Sequence, residues 1–307
     1  MARNESVARK KTARTPPEIQ KAREYFTEQN KLLRPPIHRA AYSDRMAWVL
    51  ASMAHLTYDR FEDDHTSHRL FVAKLESGGF KLIQTFYSKE TDTQAFLAES
   101  KDGYAVLAFR GTEVTKRQDL VIDANAVKVS VLEGRIHGGF RAAFESVADD
   151  VENSVLKLPD IPLYITGHSL GAALATVATQ RLEHKLKLRE RIAACYTFGS
   201  PRVGDTHYDI EFKSPIYRIV NTTDIVTIIP LLAMGYIHIG DIRYLGRIDG
   251  DFRRGIPLLQ RCYLFLLTAL KFFSPVVGDH AIVEYRRKLG AIAMKRNQPF
   301  GRHLDKY

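Results

Sequence analysis

Within Tyr164-Ile-Thr-Gly-His-Ser-Leu-Gly-Ala-Ala-Leu174 a serine stands between Gly167 and Gly171, where an apolar strand-like run gives way to an alanine-rich helix start. A turn that sharp pushes the Ser169 hydroxyl out over a sheet end, and the two glycines let it close. The next backbone N–H, that of Leu170, opens the helix and can face a developing oxyanion. The bland alternative is a glycine-rich connection whose serine only caps the helix, so the choice rests on partners. A serine hydroxyl is protonated at neutral pH; it needs an imidazole base, and the base needs a carboxylate to fix its tautomer. In strand–turn–helix hydrolases the chain order is Ser, then Asp or Glu, then His. Downstream, Asp224 follows the apolar run 216–220 in Asn221-Thr-Thr-Asp224, at a sheet end, and His280 sits in Gly278-Asp279-His280 just before a helix. Asp205 and Asp279 compete as carboxylates but suit helix caps. His168, beside the serine, is read as structural support and His137 as locally bonded at a tight turn. His238 is read as a satisfied histidine on a strand over 236–239. His55, His65 and His68 are read as solvated or locally bonded.

The elements that must position these groups follow from periodicity. A helix is expected after Pro16-Pro17, marked by Ile19, Tyr25 and Phe26 and ended by Pro35-Pro36. Ser43 reads as an N-cap for a helix carrying Met46, Val49, Leu50, Met53 and Leu56, with Trp48 partly buried. Strands are expected over 80–86 and 94–98, then a turn at Asp102-Gly103 and a central strand over 104–109, apolar throughout and so buried on both faces. Val127, Val129 and Val131 alternate as an edge strand would. Helix over the Phe140–Val151 region, strand at 163–166, helix at 170–186, strands at 192–198 and 216–220, a hairpin around 242–250 and a helix at 281–289 follow. Repeated αβ units predict an α/β fold with a mostly parallel central sheet flanked by helices and antiparallel strands from the N-terminal half.

The 307 residues suffice for a large packed core, with 45% hydrophobic residues. The net charge of +10 is unevenly placed: residues 1–35 carry nine Lys/Arg against four Asp/Glu, residues 281–307 seven against two, and the rest 29 of each sign. The body is therefore neutral, and nucleic-acid binding has only the basic ends in its favour. We divide the chain into a basic, partly disordered extension with a short helix (1–35) and a hydrolase domain (36–307). The start is charged from Arg3 with no apolar core before Tyr25, unlike a secretory signal, so a cytoplasmic location is expected, with peripheral membrane association or non-classical export as variants. No stretch reaches the ~20 apolar residues of a membrane span. Cys195 and Cys262 make no disulfide framework. No metal or dinucleotide spacing occurs, and no cofactor is expected.

The ordered set Ala108-Phe-Arg-Gly-Thr112, Ile136-His-Gly-Gly-Phe140, Ile165-Thr-Gly-His-Ser-Leu-Gly-Ala-Ala-Leu-Ala175, Tyr196-Thr-Phe-Gly-Ser-Pro-Arg-Val-Gly-Asp205, Val220-Asn-Thr-Thr-Asp-Ile-Val226 and Asp279-His280 resembles the fungal-lipase-like, class 3 branch of the α/β-hydrolases. The likeness runs from about Tyr42 to His280. It implies Ser169 as nucleophile, Asp224 as acid and His280 as base, with an oxyanion hole at Thr112 and Leu170. It also implies a lid after Thr112. Here that stretch, Glu113, Val114, Thr115, Lys116, Arg117 and Gln118, is polar where the family presents an apolar face. Before His280 the run 262–273 is apolar at nearly every position; Leu264, Phe265 and Leu267 are candidates for an acyl-pocket wall. Arg110 and Asp123 are read as an ion pair behind the oxyanion loop. The expected activity is lipase or esterase cleavage of acylglycerols or simple acyl esters. Phospholipase or acyltransferase action at an anionic membrane is one alternative, and a non-catalytic lipid-binding scaffold a second.

Overall fold

The computed structural model describes residues 15–37, 41–111, 127–131, 134–210, 212–221, 224–246, 252–253 and 280–296. Its frame is a mixed eight-stranded sheet. β1 (Phe80–Ser88), β2 (Thr93–Ser100) and β3 (Tyr104–Phe109) run antiparallel as a meander. Two further strands, β4 (Lys128–Ser130) and β5 (Arg135–His137), pair with each other in a separate two-stranded sheet. β6 (Leu163–His168), β7 (Ile192–Phe198), β8 (Ile216–Asn221) and β9 (Asp241–Leu245) then extend β3 in parallel. β10 (Phe252–Arg253) closes the far edge antiparallel to β9, so the sheet order is β1-β2-β3-β6-β7-β8-β9-β10. This is the expected α/β architecture. The expected edge strand at 127–131 forms, but beside β5 and outside the main sheet.

Both faces of the centre are buried because its strands are apolar in both registers of the two-residue repeat. In β3, Tyr104, Val106 and Ala108 enter one core, and Ala105, Leu107 and Phe109 the other. The first core is covered by helix α1 (Asp44–Leu56) together with the last helix of the chain, which we number below. Ser43 caps α1 by accepting from Met46 N–H at 3.3 Å. Trp48 is 1% exposed rather than partly buried, because Gly290 lets the last helix close over its indole. A second helix, α2 (His65–Ser77), was not legible from its polar start; Asp64 caps it by accepting from the N–H groups of Thr66 and Ser67. The other core is covered by α3 (Gly138–Glu145), α4 (Ala148–Lys157) and α5 (Leu170–Glu183). The closing helix, α6 (Ile282–Arg296), outruns its expected end by several residues and buries Ile282, Tyr285, Leu289, Ile292 and Ala293 at helical spacing.

The early segment is not one helix. A helical turn over Pro17–Ala22 and a tighter turn over Thr27–Lys31 flank Phe26, which is fully buried among Trp48 and Phe80. Arg286 of α6 ties this segment down, donating to the Tyr25 carbonyl at 2.6 Å and to Ser52 Oγ at 2.9 Å. Among the described residues no helix is long and apolar enough to cross a membrane.

His55 departs from its expected local or solvated state. Its Nδ1 lies 2.8 Å from the hydroxyl of Tyr25, which donates to the Ser52 carbonyl, so the imidazole is the donor in that pair. Burial, with Arg286 and Lys74 nearby, pushes the imidazole down from 6.5 to about 4. Between those values the unfolded chain takes up a proton that the folded chain refuses. The contribution of His55 is thus complete above pH 6.5 and is lost as pH falls toward 4. We expect the unfolding free energy read from urea melts to fall across that window, by about 3 kcal/mol, and His55→Gln to flatten the limb. An unchanged slope in the variant contradicts this assignment.

Candidate active site

β6 ends at His168 and α5 begins at Leu170, leaving one residue, Ser169, to reverse the chain direction. Ser169 does so at φ 59° and ψ −127°, a conformation that costs a non-glycine residue on the order of 1–3 kcal/mol. The neighbouring glycines make that turn possible. A methyl group on Gly167 would overlap the Gly171 carbonyl, and one on Gly171 would overlap the Phe109 carbonyl of β3. Helix, elbow and two strands meet there with backbone against backbone. As the first residue of α5, Leu170 carries an N–H with no intrahelical acceptor.

The structure brings Ser169, His280 and Asp224 together from positions 111 and 56 residues apart. Ser169 Oγ lies 2.9 Å from His280 Nε2, and His280 Nδ1 lies 2.7 Å from Asp224 Oδ2. All three are buried. Asp224 follows β8 at the same sheet end and heads a short turn over Ile225–Ile228, where its Oδ1 accepts from Val226 N–H at 3.0 Å. Gly199, at φ +58° just past β7, is required on two counts: a side chain would be strained, and its Cβ would lie 2.6 Å from Asp224 Oδ2 and 3.1 Å from the His280 ring.

A carboxylate only accepts, so the proton on His280 sits at Nδ1 and the Nε2 lone pair faces the serine. His168 fixes the backbone of the base: its Nε2 donates to the His280 carbonyl at 2.6 Å, while its Nδ1 lies 2.8 Å from the Tyr58 hydroxyl. Tyr285 of α6 fixes the acid. Its hydroxyl accepts from Asn221 N–H at 2.9 Å and donates to Asp224 Oδ2 at 2.6 Å. Burial, with Asp224 alongside, holds the phenol well above its ordinary value, so it remains a donor. Lys288, one turn on, donates to the Asn221 side chain at 2.8 Å. The arrangement can draw a proton from Ser169 as its oxygen attacks an electrophile, and hold the resulting imidazolium against a carboxylate.

Sequence reasoning passed over Tyr285, Tyr58 and Gly199. The tyrosines lie at helical or turn positions that read as packing, and Gly199 stood within the Tyr196–Asp205 motif with no role of its own. We expect Tyr285→Phe to lower kcat about tenfold with KM within about twofold, since one hydrogen bond to a charged group is worth ~1.5–3 kcal/mol and no substrate contact is removed. A KM rise with kcat unchanged argues against a positioning role.

Other residues fall as follows. His137 does bond locally, capping α3 by accepting from Gly139 N–H at 3.1 Å. Asp205 does cap a short helix, Thr206–Ile210, by accepting from Tyr208 N–H, and also pairs with Arg135. His238 is not on a strand: Ile237 makes only an isolated bridge to Gly204. The Arg110 guanidinium meets Glu62 at 3.1 Å and donates to the side-chain amide oxygen of Gln94. Asp123, Thr112, the lid candidates Glu113 to Gln118 and the pocket candidates Leu264, Phe265 and Leu267 lie outside the described residues. Among the described residues no group of three His, Cys, Asp or Glu side chains is placed to hold a metal ion.

Comparison with known proteins agrees with this geometry. Residues 106–234, which include most of β3, the elbow and Asp224, match the family model described as lipase (class 3). The chain is 32% identical over 193 residues to a lipase of Rhizopus niveus, covering 59% of this chain and 47% of that protein. It is 31% identical over 198 residues to the secreted mono- and diacylglycerol lipase A of Penicillium cyclopium, covering 55% and 63%. The chain thus spans about half to two thirds of the length of these curated relatives. Among solved structures, the lipase of Rhizopus microsporus var. chinensis superposes with a TM-score of 0.56 at 26% identity over 78% of each chain. The Rhizomucor miehei lipase in its propeptide complex shares the fold, with a TM-score of 0.58 at 21% identity over 84% of this chain and 83% of that one.

Proposed function

We propose, from the match of residues 106–234 to the class 3 lipase family, that this chain hydrolyses carboxylic esters, acylglycerols foremost, through an acyl-enzyme on Ser169. The observation that carries the reading is the continuous hydrogen-bond chain from Ser169 Oγ through His280 to Asp224 at 2.9 and 2.7 Å. Ser169 Oγ attacks the ester carbonyl carbon while its proton passes to His280 Nε2. The tetrahedral oxyanion is met by the Leu170 N–H, with Thr112 assigned as the second donor. His280 returns the proton to the leaving alcohol oxygen as the C–O bond breaks. A water then attacks the acyl-enzyme, gives its proton to His280, and the carboxylic acid leaves as the proton returns to Ser169 Oγ.

An apolar substrate is supported by the loop after Asp224. Leu231, Leu232 and Met234 are all exposed there, 46%, 62% and 43%. Three large apolar side chains at one loop tip suit an acyl chain or a lipid surface better than water. The test is covalent labelling with a fluorophosphonate, followed by fatty-acid release from diacylglycerol, phosphatidylcholine and a short-chain ester. Labelling at Ser169 with release foremost from diacylglycerol is the expected result. Absence of labelling under conditions where the fold is intact overturns hydrolysis and leaves a lipid-binding scaffold; release mainly from phosphatidylcholine moves the substrate to phospholipids.

A further inference from the structure

Behind Asp224, on the sheet face away from α1 and α6, lies a set of buried cationic groups that the hydrolytic machinery does not use. Arg218 sits in the middle of β8, and its neighbours Tyr217 and Ile219 point into the core beneath α1 and α6. Strand alternation therefore sends Arg218 to the opposite face. It is 8% exposed, and among the described residues its Nε has no hydrogen-bond partner. Its electrostatic neighbours among the described residues are Tyr244, Arg202 and Tyr285, none of them a carboxylate. Its register partners are Thr197 on β7, whose buried Oγ1 is also unpartnered, and Ile242 on β9. Arg202 is 9% exposed; its Nη1 donates to the carbonyls of Ile228 and Pro230, but its Nε is unpartnered among the described residues. His238, within the field of both arginines, shares a hydrogen bond with the Thr227 backbone while its Nδ1 is unpartnered.

Two buried guanidiniums, with Arg202 within the electrostatic reach of Arg218, thus each keep an Nε donor unpaired among the described residues. A buried charge without a counter-charge costs several kcal/mol, and arginine does not shed its proton to escape that cost. Burial and the neighbouring Arg202 already draw Arg218 down to about 10, and burial with both arginines pushes His238 down to about 2. The chemistry that answers all of these is a compact negative charge accepting several N–H and O–H bonds at once.

We propose that Arg218 and Arg202, with Thr197, bind a small inorganic anion, a halide or an oxyanion such as phosphate, on the sheet face behind Asp224. The site does not depend on the ester-cleaving reading, and its test reads stability rather than turnover.

The full chain is unfolded thermally at fixed ionic strength, replacing sodium gluconate stepwise by chloride, bromide or phosphate. A saturable rise of Tm, about 2–5 °C, is expected with at least one of them, and the halide and phosphate arms identify the anion class. Two variants follow. Arg218→Met is expected to lose the saturable response. Ile242→Glu places a carboxylate beside Arg218 on the adjacent strand, so it is expected to raise Tm in gluconate and abolish the response. Crystals soaked in bromide, or in phosphate if that arm responds, should show the anion against Arg218 and Arg202. A rise that never saturates, an equal rise in Ile242→Glu, or crystals in which water or a carboxylate of the chain itself meets both guanidiniums overturns the proposal.

Discussion

Replacing Ser169 with alanine is expected to lower ester turnover by ~10⁴–10⁶ and to leave the cooperative unfolding transition in place. The attacking oxygen is lost outright, and neither His280 nor Asp224 can substitute for it. The fold should survive because the elbow rests on Gly167 and Gly171 packing against backbone carbonyls, not on the serine side chain. Among the described residues, Ser169 Oγ makes one hydrogen bond, with His280 Nε2. Initial rates on a p-nitrophenyl ester, alongside a urea melt of the same preparation, give both readings. Turnover within tenfold of the parent at an unchanged melt would end the acyl-enzyme account.

The second large effect is expected from Asp224→Asn, a loss of ~10⁴ in kcat. Three donors converge on this carboxylate: His280 Nδ1–H and the Tyr285 hydroxyl on Oδ2, and Val226 N–H on Oδ1. An amide has one accepting oxygen. If it faces His280 and Tyr285, its NH₂ confronts the Val226 N–H; if it faces Val226, its NH₂ confronts both side chains. Either arrangement sets donor against donor, and the second drives the proton of His280 to Nε2, where it can no longer accept from Ser169. Destabilisation of about 1–3 kcal/mol should accompany the rate loss. Asp224→Asn with near-parental kcat, or with its deficit confined to KM, would contradict the role given to the acid.

How much of this was legible in the sequence depended on how locally each signal is written. The elbow is compressed into five consecutive residues, Gly167 to Gly171, so its turn chemistry could be read directly. Asp224 and His280 could be reached only through chain order and their places beyond a strand and before a helix. Tyr285 carried no such mark: a tyrosine at core spacing on an amphipathic helix reads as packing, and its meeting with Asp224, 61 residues away, exists only once α6 docks. Trp48 was expected half-covered because nothing in α1 announces that Gly290 will let another helix descend on it. The valine alternation at 127–131 reported a strand correctly but not its sheet, since alternation fixes which side chains share a face and says nothing of the neighbour. The antiparallel meander followed by parallel strands was readable because turn residues and helical spacing separate the two kinds of connection.

α6 has a consequence for how the protein should respond to heat. One side of this helix steadies Asp224 through Tyr285, and the next residue, Arg286, grips Tyr25 and Ser52 near the opposite end of the chain. The parallel strands are packed on both faces, whereas α6 shares in the apolar packing of one face only. Warming should detach the helix before the sheet gives way, scattering the acid while most backbone structure persists. Catalytic half-life should therefore collapse several degrees below the circular dichroism midpoint, and a tether that staples α6 to α1 should bring the two temperatures together.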